Sequence, residues 1–466
     1  MKQVVFINPP TPGFRKITRN VDCASESKGN YLLQPFDFLL LTGTFQRETP
    51  IHFIDAVAEM MDVRSALDRL QALKPDLIIT AIIDAAWNDD LGFIRSLRAQ
   101  HPDVPILAFG DALMEESNAA IVSELVDGII VSPLLLDPSP LKKFTRGEVE
   151  QNRALMGLRS SRSFVAESKT PTRRSILLPR HELFLHPRYR WPFATYRRYT
   201  TVMVAWGCPY SCSYCTSSKL PSLFRSHDEV LAELAAIKRL GVQEIYFGDK
   251  SFGVPSENAK ALLRGMVQAD FRFSWSTYFH PAQFSPEFLE LMKAAGCHTI
   301  IVGIESEDVD SLSRFGRRIK KEKIEGMVRY ANELKINVCG DFLFGLPGED
   351  RQAILSTIRY SLRLDIDFAS FNIAAPLPGS IVKRRAIEDG RMAEDDHHFD
   401  SVGKGRVLAS DKVGADDLEN LRNMAVRKFY LRPKYLLKRL SRLRGIEHLW
   451  IQLGEMFEVL RKARRA

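Results

Sequence analysis

Three cysteines within eight residues constrain this chain more than any other feature: Cys208-Pro209-Tyr210-Ser211-Cys212-Ser213-Tyr214-Cys215. At this C-x3-C-x2-C spacing the three thiols converge on a common partner. Structural zinc closes its shell with four protein ligands, and no fourth Cys or His follows at finger spacing. A disulfide leaves one thiol over. A [4Fe-4S] cluster fits best, because it is held by thiolates. Three ligands also leave one iron open, as catalytic metal sites keep an open position.

The surroundings fit a redox centre in a reducing compartment. Six cysteines in 466 residues, three of them clustered, are not a secreted disulfide framework. The first apolar run, 4–7, is too short for a signal peptide. No apolar run reaches the ~18 residues of a membrane span. The expected location is therefore the cytoplasm. The net charge of +8 is modest for this length and comes partly from the C-terminal tail, so no nucleic-acid partner is expected.

Strands and helices alternate along most of the chain. In residues 1–135, apolar runs at 4–7, 51–55, 77–82, 104–109 and 128–131 read as buried strands. Helical patterns at 35–41, 63–73, 91–100 and 121–125 lie between them. This order predicts a doubly wound parallel sheet. Such sheets bind ligands at the carboxyl ends of their strands, here around Asn8-Pro9-Pro10, Thr80 and the loop to Asp84, and Gly110-Asp111. Residues 136–198, rich in Pro, Ser and Arg, read as a linker.

In residues 199–385 the alternation resumes. Strands are expected at 201–205, 244–247, 271–278, 299–304, 336–344 and 368–373. Ser226-His227-Asp228-Glu229 reads as a capping box, and Ser285-Pro286 as a second helix start. Six βα units make a partial (β/α)6 barrel of the TIM type, with its functional groups at the carboxyl ends of the strands. Residues 386–466 open on Asp395-Asp396-His397-His398 and continue as basic amphipathic helices. Their apolar positions Phe429, Tyr430, Leu436 and Leu440 cover the barrel or touch a membrane surface presenting a lipid-like substrate. Cys23, Cys297 and Cys339 read as small buried hydrophobes, and His298 as packing. Tyr278 and His280, at the end of the third barrel strand, are candidates for facing the substrate.

Further motifs stand at strand ends: Gly248-Asp249, Gly303-Ile304-Glu305-Ser306, the run from Gly340 through Gly345-Leu346-Pro347-Gly348-Glu349, and Ala375-Pro376-Leu377-Pro378-Gly379-Ser380. With the cysteine loop, this series resembles the radical S-adenosylmethionine (radical SAM) superfamily. It is most similar to the branch with an N-terminal cobalamin-binding domain, and the likeness covers nearly the whole chain. The fold it implies is α/β: a Rossmann-like cobalamin-binding-type domain (1–135), a linker (136–198), a partial radical SAM barrel (199–385) and a C-terminal helical extension (386–466).

The resemblance implies that Cys208, Cys212 and Cys215 hold the cluster and serve catalysis. The open iron then chelates SAM, and one electron cleaves SAM to methionine and a 5′-deoxyadenosyl radical. It places Tyr214 and Leu346 beside the adenine, Gly248 where SAM approaches and Asp249 on its ammonium. Glu305 is placed on the ribose hydroxyls with Ser306 in support, and Asn8, Pro9, Thr80 and Gly110 on cobalamin. Many cobalamin proteins carry Asp-x-His-x-x-Gly after the first strand. Here that stretch is Asn8-Pro9-Pro10-Thr11-Pro12-Gly13-Phe14, without His, so no lower His ligand to cobalt is expected. Asp395-Asp396-His397 lies in the wrong region for one. The implied activity is methyl transfer to an unactivated carbon or a phosphinate. An oxidoreductase, cyclase or rearrangement enzyme without methyl transfer is the alternative. The implied partners are a small-molecule or lipid-like substrate and a one-electron reductant such as flavodoxin or ferredoxin.

Overall fold

The computed structural model describes residues 3–20, 31–159, 170–397, 399, 406–433 and 435–437. Cys23, His398, Leu440 and the basic C-terminal tail, 438–466, lie outside the described residues.

The first sheet contains β1 (Val4–Asn8), β2 (Ile51–Asp55), β3 (Leu77–Ala81), β4 (Ile106–Phe109), β5 (Gly128–Ile130) and β6 (Leu158–Arg159). Their order is β2-β1-β3-β4-β5-β6. The first five are parallel, and β6 joins β5 antiparallel. Helices cover both faces, so the strands are apolar without alternation. Val5 and Ile7 enter one core, Val4 and Phe6 the other. The order reverses beside β1, which brings the loops after β1 and β3 together at the carboxyl edge.

The stretch 136–198 is more structured than its composition suggests. A helix, Arg146–Asn152, and β6 complete the first sheet's edge. The local signal is weak because what holds them is tertiary. Asp127, 6% exposed at its side chain, pairs with Arg98 and Arg146, each at 2.6 Å.

A small sheet of β7 (Thr172–Arg173), β9 (Ala205–Trp206) and β10 (Leu223–Phe224) brackets the cysteine loop, with β9 before it and β10 after it. The large parallel sheet runs β15-β14-β13-β12-β11-β8. It comprises β8 (Tyr199–Val202), β11 (Glu244–Phe252), β12 (Ser274–Phe279), β13 (Cys297–Glu305), β14 (Asn337–Phe344) and β15 (Phe368–Ile373). Among the described residues β8 and β15 are its two edges, so it is an open partial barrel.

Side chains alternate across this sheet with period two. Ile245, Phe247, Trp275, Val302 and Val338 pack outward against helices. Tyr246, Ile301 and Cys339 point inward and join the core of the N-terminal sheet. The segment before β8 fills the barrel floor. Trp191 stacks on Tyr246 at 3.8 Å and donates from Nε1 to Ser276 Oγ at 2.7 Å. Gln34, from the N-terminal half, accepts from Thr201 N at 2.7 Å and donates from Nε2 to Phe184 O at 2.8 Å.

The β15 edge is covered by the helix Ala415–Tyr430, which protects it from pairing elsewhere. Phe429 is buried against Phe371, and Tyr430 Oη donates to Ala369 O at 2.8 Å. Phe429 and Tyr430 therefore face the barrel and not a membrane. Among the described residues no helix is long and apolar enough to cross one.

Trp191→Ala removes a buried ring and its hydrogen bond from the floor shared by both domains. It is expected to cost about 3–5 kcal/mol, read as a lower midpoint in urea unfolding.

Candidate active site at the cysteine loop

The strand that feeds the cysteine loop is held by buried charge. Asp249 Oδ1 accepts from Val204 N at 2.8 Å, and its carboxyl also takes the Ala205 amide. Arg225 Nη1 donates to Met203 O at 3.1 Å and pairs with Glu233 at 2.6 Å. Glu233 in turn shares a 2.8 Å hydrogen bond with His181. Asp249 thus positions the loop's entry instead of facing the cavity, because β11 runs on to Phe252 and turns its carboxylate toward β8. Gly248 likewise makes room for protein. A Cβ there would stand 2.6 Å from Met203 Sδ.

Cys208, Cys212 and Cys215 line one cavity of about 300 Å³ at the carboxyl end of the barrel. Among the described residues no three His, Cys, Asp or Glu side chains stand at metal-ligating separation. The thiols share the cavity without being drawn to one point. Donor type and placement nonetheless fit an iron–sulfur cluster.

The residue that organises this cavity is Arg317, which sequence reading missed. It is 7% exposed. Its Nη1 lies 3.9 Å from Cys212 Sγ, its Nη2 donates to Gly303 O, and its Nε lies 4.0 Å from Glu305. Burial opposes the charge, but Tyr214, Glu305 and Cys212 outweigh it and hold the guanidinium protonated. Arg317 and Arg318 are adjacent and identical in sequence, and only the fold separates the inward Arg from the outward one.

Glu305 stands at the end of β13 in the left-handed region, at φ 65°, where the register with β14 shifts. Such bulges re-aim a side chain. Gly303 clears the space, since a Cβ there would fall 2.5 Å from Glu305 Oε1 and 3.1 Å from Arg317 Nη2. Tyr214 also lines the cavity. Burial pushes its phenol well above the usual range, so it stays neutral, and its hydroxyl has no hydrogen-bond partner among the described residues.

Leu346 packs in a small cluster with Phe315, Val382 and Tyr214. Glu349 accepts from Gly345 N at 2.6 Å and so braces the turn that carries Leu346. Ser306 is turned away, hydrogen-bonded to Thr357 at 2.9 Å and to Asp308 N at 3.2 Å. Its part is to fix the chain leaving β13.

Tyr278 and His280 line the same cavity, as do Lys250, Asp341 and Asn372. His280 stacks on Tyr210 at 3.6 Å, and Tyr210 accepts from Gln283 Nε2 at 2.7 Å. Burial, with Arg317 and Lys323 nearby, lowers the His280 pKa to about 3, so it is neutral near pH 7. Cys297 and Cys339 are buried core thiols. His298 is spent on Thr299 and Glu244, at 2.7 and 2.8 Å.

At the carboxyl edge of the first sheet, the expected contact residues are largely committed to the protein. Asn8 donates to Asp55 at 2.8 Å and accepts from Arg19 at 3.2 Å. Arg19 is fully buried against Asp90 and donates to Pro9 O at 2.7 Å, which fixes the Asn8-Pro9-Pro10 turn. Thr80 Oγ1 donates to Ile7 O at 3.1 Å. Gly110 has φ 141°, and a Cβ there would meet Ile82 O at 1.8 Å, so only glycine serves at this crossing.

The barrel side reaches this edge at two points. Glu115 accepts from Gly379 N at 2.8 Å and lies 3.5 Å from Lys383 Nζ. His397, remote in sequence, bonds Asp84 at 2.7 Å and stacks on Trp87. The hydroxyl of Thr18, on the β1 loop, is buried without a hydrogen-bond partner among the described residues. The edge therefore fits a group held by packing and hydrogen bonds, and its β1 loop carries no His for cobalt.

Two outcomes test this geometry. Burial raises the Asp249 pKa from 3.8 to about 7. The folded state therefore binds this proton more tightly than the unfolded state. The resulting stability is fully present below pH ~4 and is lost as pH rises toward about 7. Asp249→Asn removes this titration. Its urea stability relative to wild type should rise between pH 5 and pH 8. Arg317→Met removes the cation beside Cys212. A cluster held there should then have a lower midpoint potential in spectroelectrochemical titration, since hydrogen bonds and charge at the sulfurs set that potential.

Comparison with known proteins agrees with this geometry. Residues 203–361 match the family model of the radical SAM superfamily. An uncharacterised methyltransferase of Pyrococcus horikoshii is 30% identical over 271 residues, covering 56% of this chain and 57% of that protein. Bacteriochlorophyllide d C-12(1)-methyltransferase of Chlorobaculum tepidum is 27% identical over 192 residues, covering 40% of this chain and 42% of that one. The matched parts thus span about half the length of these relatives. The radical SAM methyltransferase TsrM of Kitasatospora setae was solved with cobalamin and a [4Fe-4S] cluster bound. It superposes with a TM-score of 0.66 at 16% identity, covering 100% of both chains. Residues 203–361 therefore carry a radical SAM domain, and the chain as a whole shares the fold of a radical SAM methyltransferase solved with cobalamin bound.

Proposed function

We propose that this protein is a cobalamin-dependent radical SAM methyltransferase acting on an unactivated carbon or a phosphinate of a small molecule. One observation carries the reading: Cys208, Cys212 and Cys215 share a single cavity with the Arg317–Glu305 pair, at the barrel edge that faces the N-terminal sheet. Methyltransferase relatives, and a cobalamin-bound neighbour of the same fold, support it.

When bound, the cluster supplies the electron that cleaves SAM, and the corrin supplies a carrier for the methyl group. The chain's own residues bind and orient. Cys208, Cys212 and Cys215 would ligate iron. The half-buried Glu305 carboxylate suits the ribose hydroxyls, and neutral Tyr214 and Leu346 suit the adenine face. Lys250 and Asp341 put opposite charges on the cavity wall, which suits a substrate with both an acidic and a basic group. His280 is neutral near pH 7 and so orients a partner without delivering a proton. The apolar cluster around Leu346 and Phe315 keeps water from the cavity wall.

The test is product analysis with anaerobically reconstituted protein, hydroxocobalamin and dithionite. Methyl transfer predicts a bound corrinoid spectrum and formation of S-adenosylhomocysteine, with Cys212→Ala abolishing SAM cleavage. 5′-Deoxyadenosine without S-adenosylhomocysteine would instead assign an oxidoreductase, cyclase or rearrangement activity.

A further inference from the structure

His397 belongs to neither sheet, yet the fold sets it at the carboxyl edge of the first one. The segment that carries it leaves the helix Ile381–Glu388 and packs on itself around Ala386, Met392, Phe399 and Leu408. Arg391 donates to Ala409 O at 2.7 Å and closes this small lobe. The lobe lays the His397 ring on Trp87, with centroids 4.9 Å apart, and leaves its side chain 7% exposed. Its partner Asp84, 313 residues away in the chain, lies in the loop after β3. Asp84 N donates to Asp111 Oδ1 at 3.0 Å, which ties that loop to the one after β4.

The partner fixes which ring nitrogen is open. A carboxylate oxygen only accepts, so Nδ1 donates to Asp84 Oδ1 at 2.7 Å. In the neutral ring the lone pair then sits on Nε2. Among the described residues Nε2 makes no hydrogen bond, and the ring lines a cavity of about 680 Å³. The first turns of the helices Trp87–Gln100 and Glu116–Ser123 form the opposite wall. A carboxylate on one nitrogen and an open lone pair on the other is how a ligating His is oriented toward a metal.

The cavity does not complete a shell for a free ion. Among the described residues no three His, Cys, Asp or Glu side chains stand at ligating separation. Asp396, on the same wall, is paired with Arg406 at 2.7 Å. A metal held by His397 must therefore arrive with its other ligands. A corrin does so, because its ring fills the positions around cobalt and leaves the axial ones open.

We propose that His397 supplies the axial imidazole to the cobalt of a corrinoid bound at this edge, with Asp84 as its positioning residue. The proposal rests on the reading that the protein binds cobalamin. The loop after β1 offers no such nitrogen, and its Asn8-Pro9-Pro10 turn is committed to Asp55 and Arg19. The fold supplies one from the far end of the chain. The bond formed is dative, from the Nε2 lone pair to cobalt. It displaces an axial water or the cofactor's own base, and no electron is transferred.

The experiment uses the full-length protein with its histidines labelled with nitrogen-15, loaded with unlabelled cobalamin and reduced to cob(II)alamin. In electron paramagnetic resonance an axial nitrogen-15 splits each cobalt line into a doublet. The cofactor's own unlabelled base gives a triplet. Wild type should show the doublet. H397F, which keeps a ring on Trp87, should lose it, with H397Q as the second variant should H397F not fold. H52Q, on β2, should keep it. D84N should bind cobalamin about 10- to 100-fold more weakly in an absorption titration, with H52Q unchanged.

A triplet, or no nitrogen splitting, in wild-type protein that holds cobalamin overturns this proposal and leaves the cobalamin reading standing. A doublet that survives in both His397 variants overturns it in favour of another histidine. Unchanged affinity in D84N overturns the positioning role of Asp84. Wild-type protein that cleaves SAM but binds no cobalamin overturns the underlying reading, and the proposal with it.

Discussion

One buried guanidinium ties the candidate site together. An unpaired charge in the interior is costly, and a buried pair persists only where its remaining hydrogen bonds are met. Arg317 meets them with Gly303 O, Glu305 and the Cys212 thiol. The partners come from two separate pieces of chain. Gly303 and Glu305 end β13, and Cys212 sits in the loop that follows β8 and β9. The bulge at Glu305, the missing side chain at Gly303 and the close approach of Gly316 to Ser211 all serve this one constellation. It places a fixed positive charge beside the Cys212 thiol.

The barrel's openness sets a second constraint. Six parallel strands cannot surround a packed interior as eight do, so other parts of the chain fill it. Trp191 and Phe36 pack against Tyr246 on the floor, and the helix Ala415–Tyr430 covers the β15 edge. The two sheets consequently share one apolar core. The N-terminal domain is therefore part of the barrel's architecture as well as a candidate cofactor carrier. Glu115 and Asp84 bring its carboxyl edge against the segments that follow β15. The loop after β15 is itself tied to the cysteine loop through Thr216 Oγ1 and Pro378 O, 3.3 Å apart. A group bound at the N-terminal edge and one bound by the cysteines would rest on the same strip of backbone.

Strands buried on both faces, such as 4–8 and 106–109, are legible in sequence because their apolar runs end at turn residues. Ser226 and Ser285 are legible as helix caps because capping is local chemistry: each accepts from the amide three residues on. What escaped was set by tertiary contact. Residues 146–159 complete the first sheet through Asp127, with no periodicity to announce it. Asp249 and Ser306 occupy family motif positions, yet their side chains turn toward β8 and Thr357, and strand-end position alone does not fix side-chain direction. Arg317 and Arg318 are alike in sequence, and only the packing of 315–317 on the cysteine loop assigns one to the interior. His397 shows the same limit, since its partner Asp84 is more than 300 residues away in the chain.

The central claim is that the three cysteines hold a [4Fe-4S] cluster whose open iron takes SAM. Electron paramagnetic resonance of the anaerobically reconstituted, dithionite-reduced protein, recorded with and without SAM, addresses it most directly. The account predicts a signal from a one-electron-reduced [4Fe-4S] cluster that changes shape when SAM is added and is absent from Cys212→Ala. A cluster signal indifferent to SAM, or one that persists in Cys212→Ala, would contradict it.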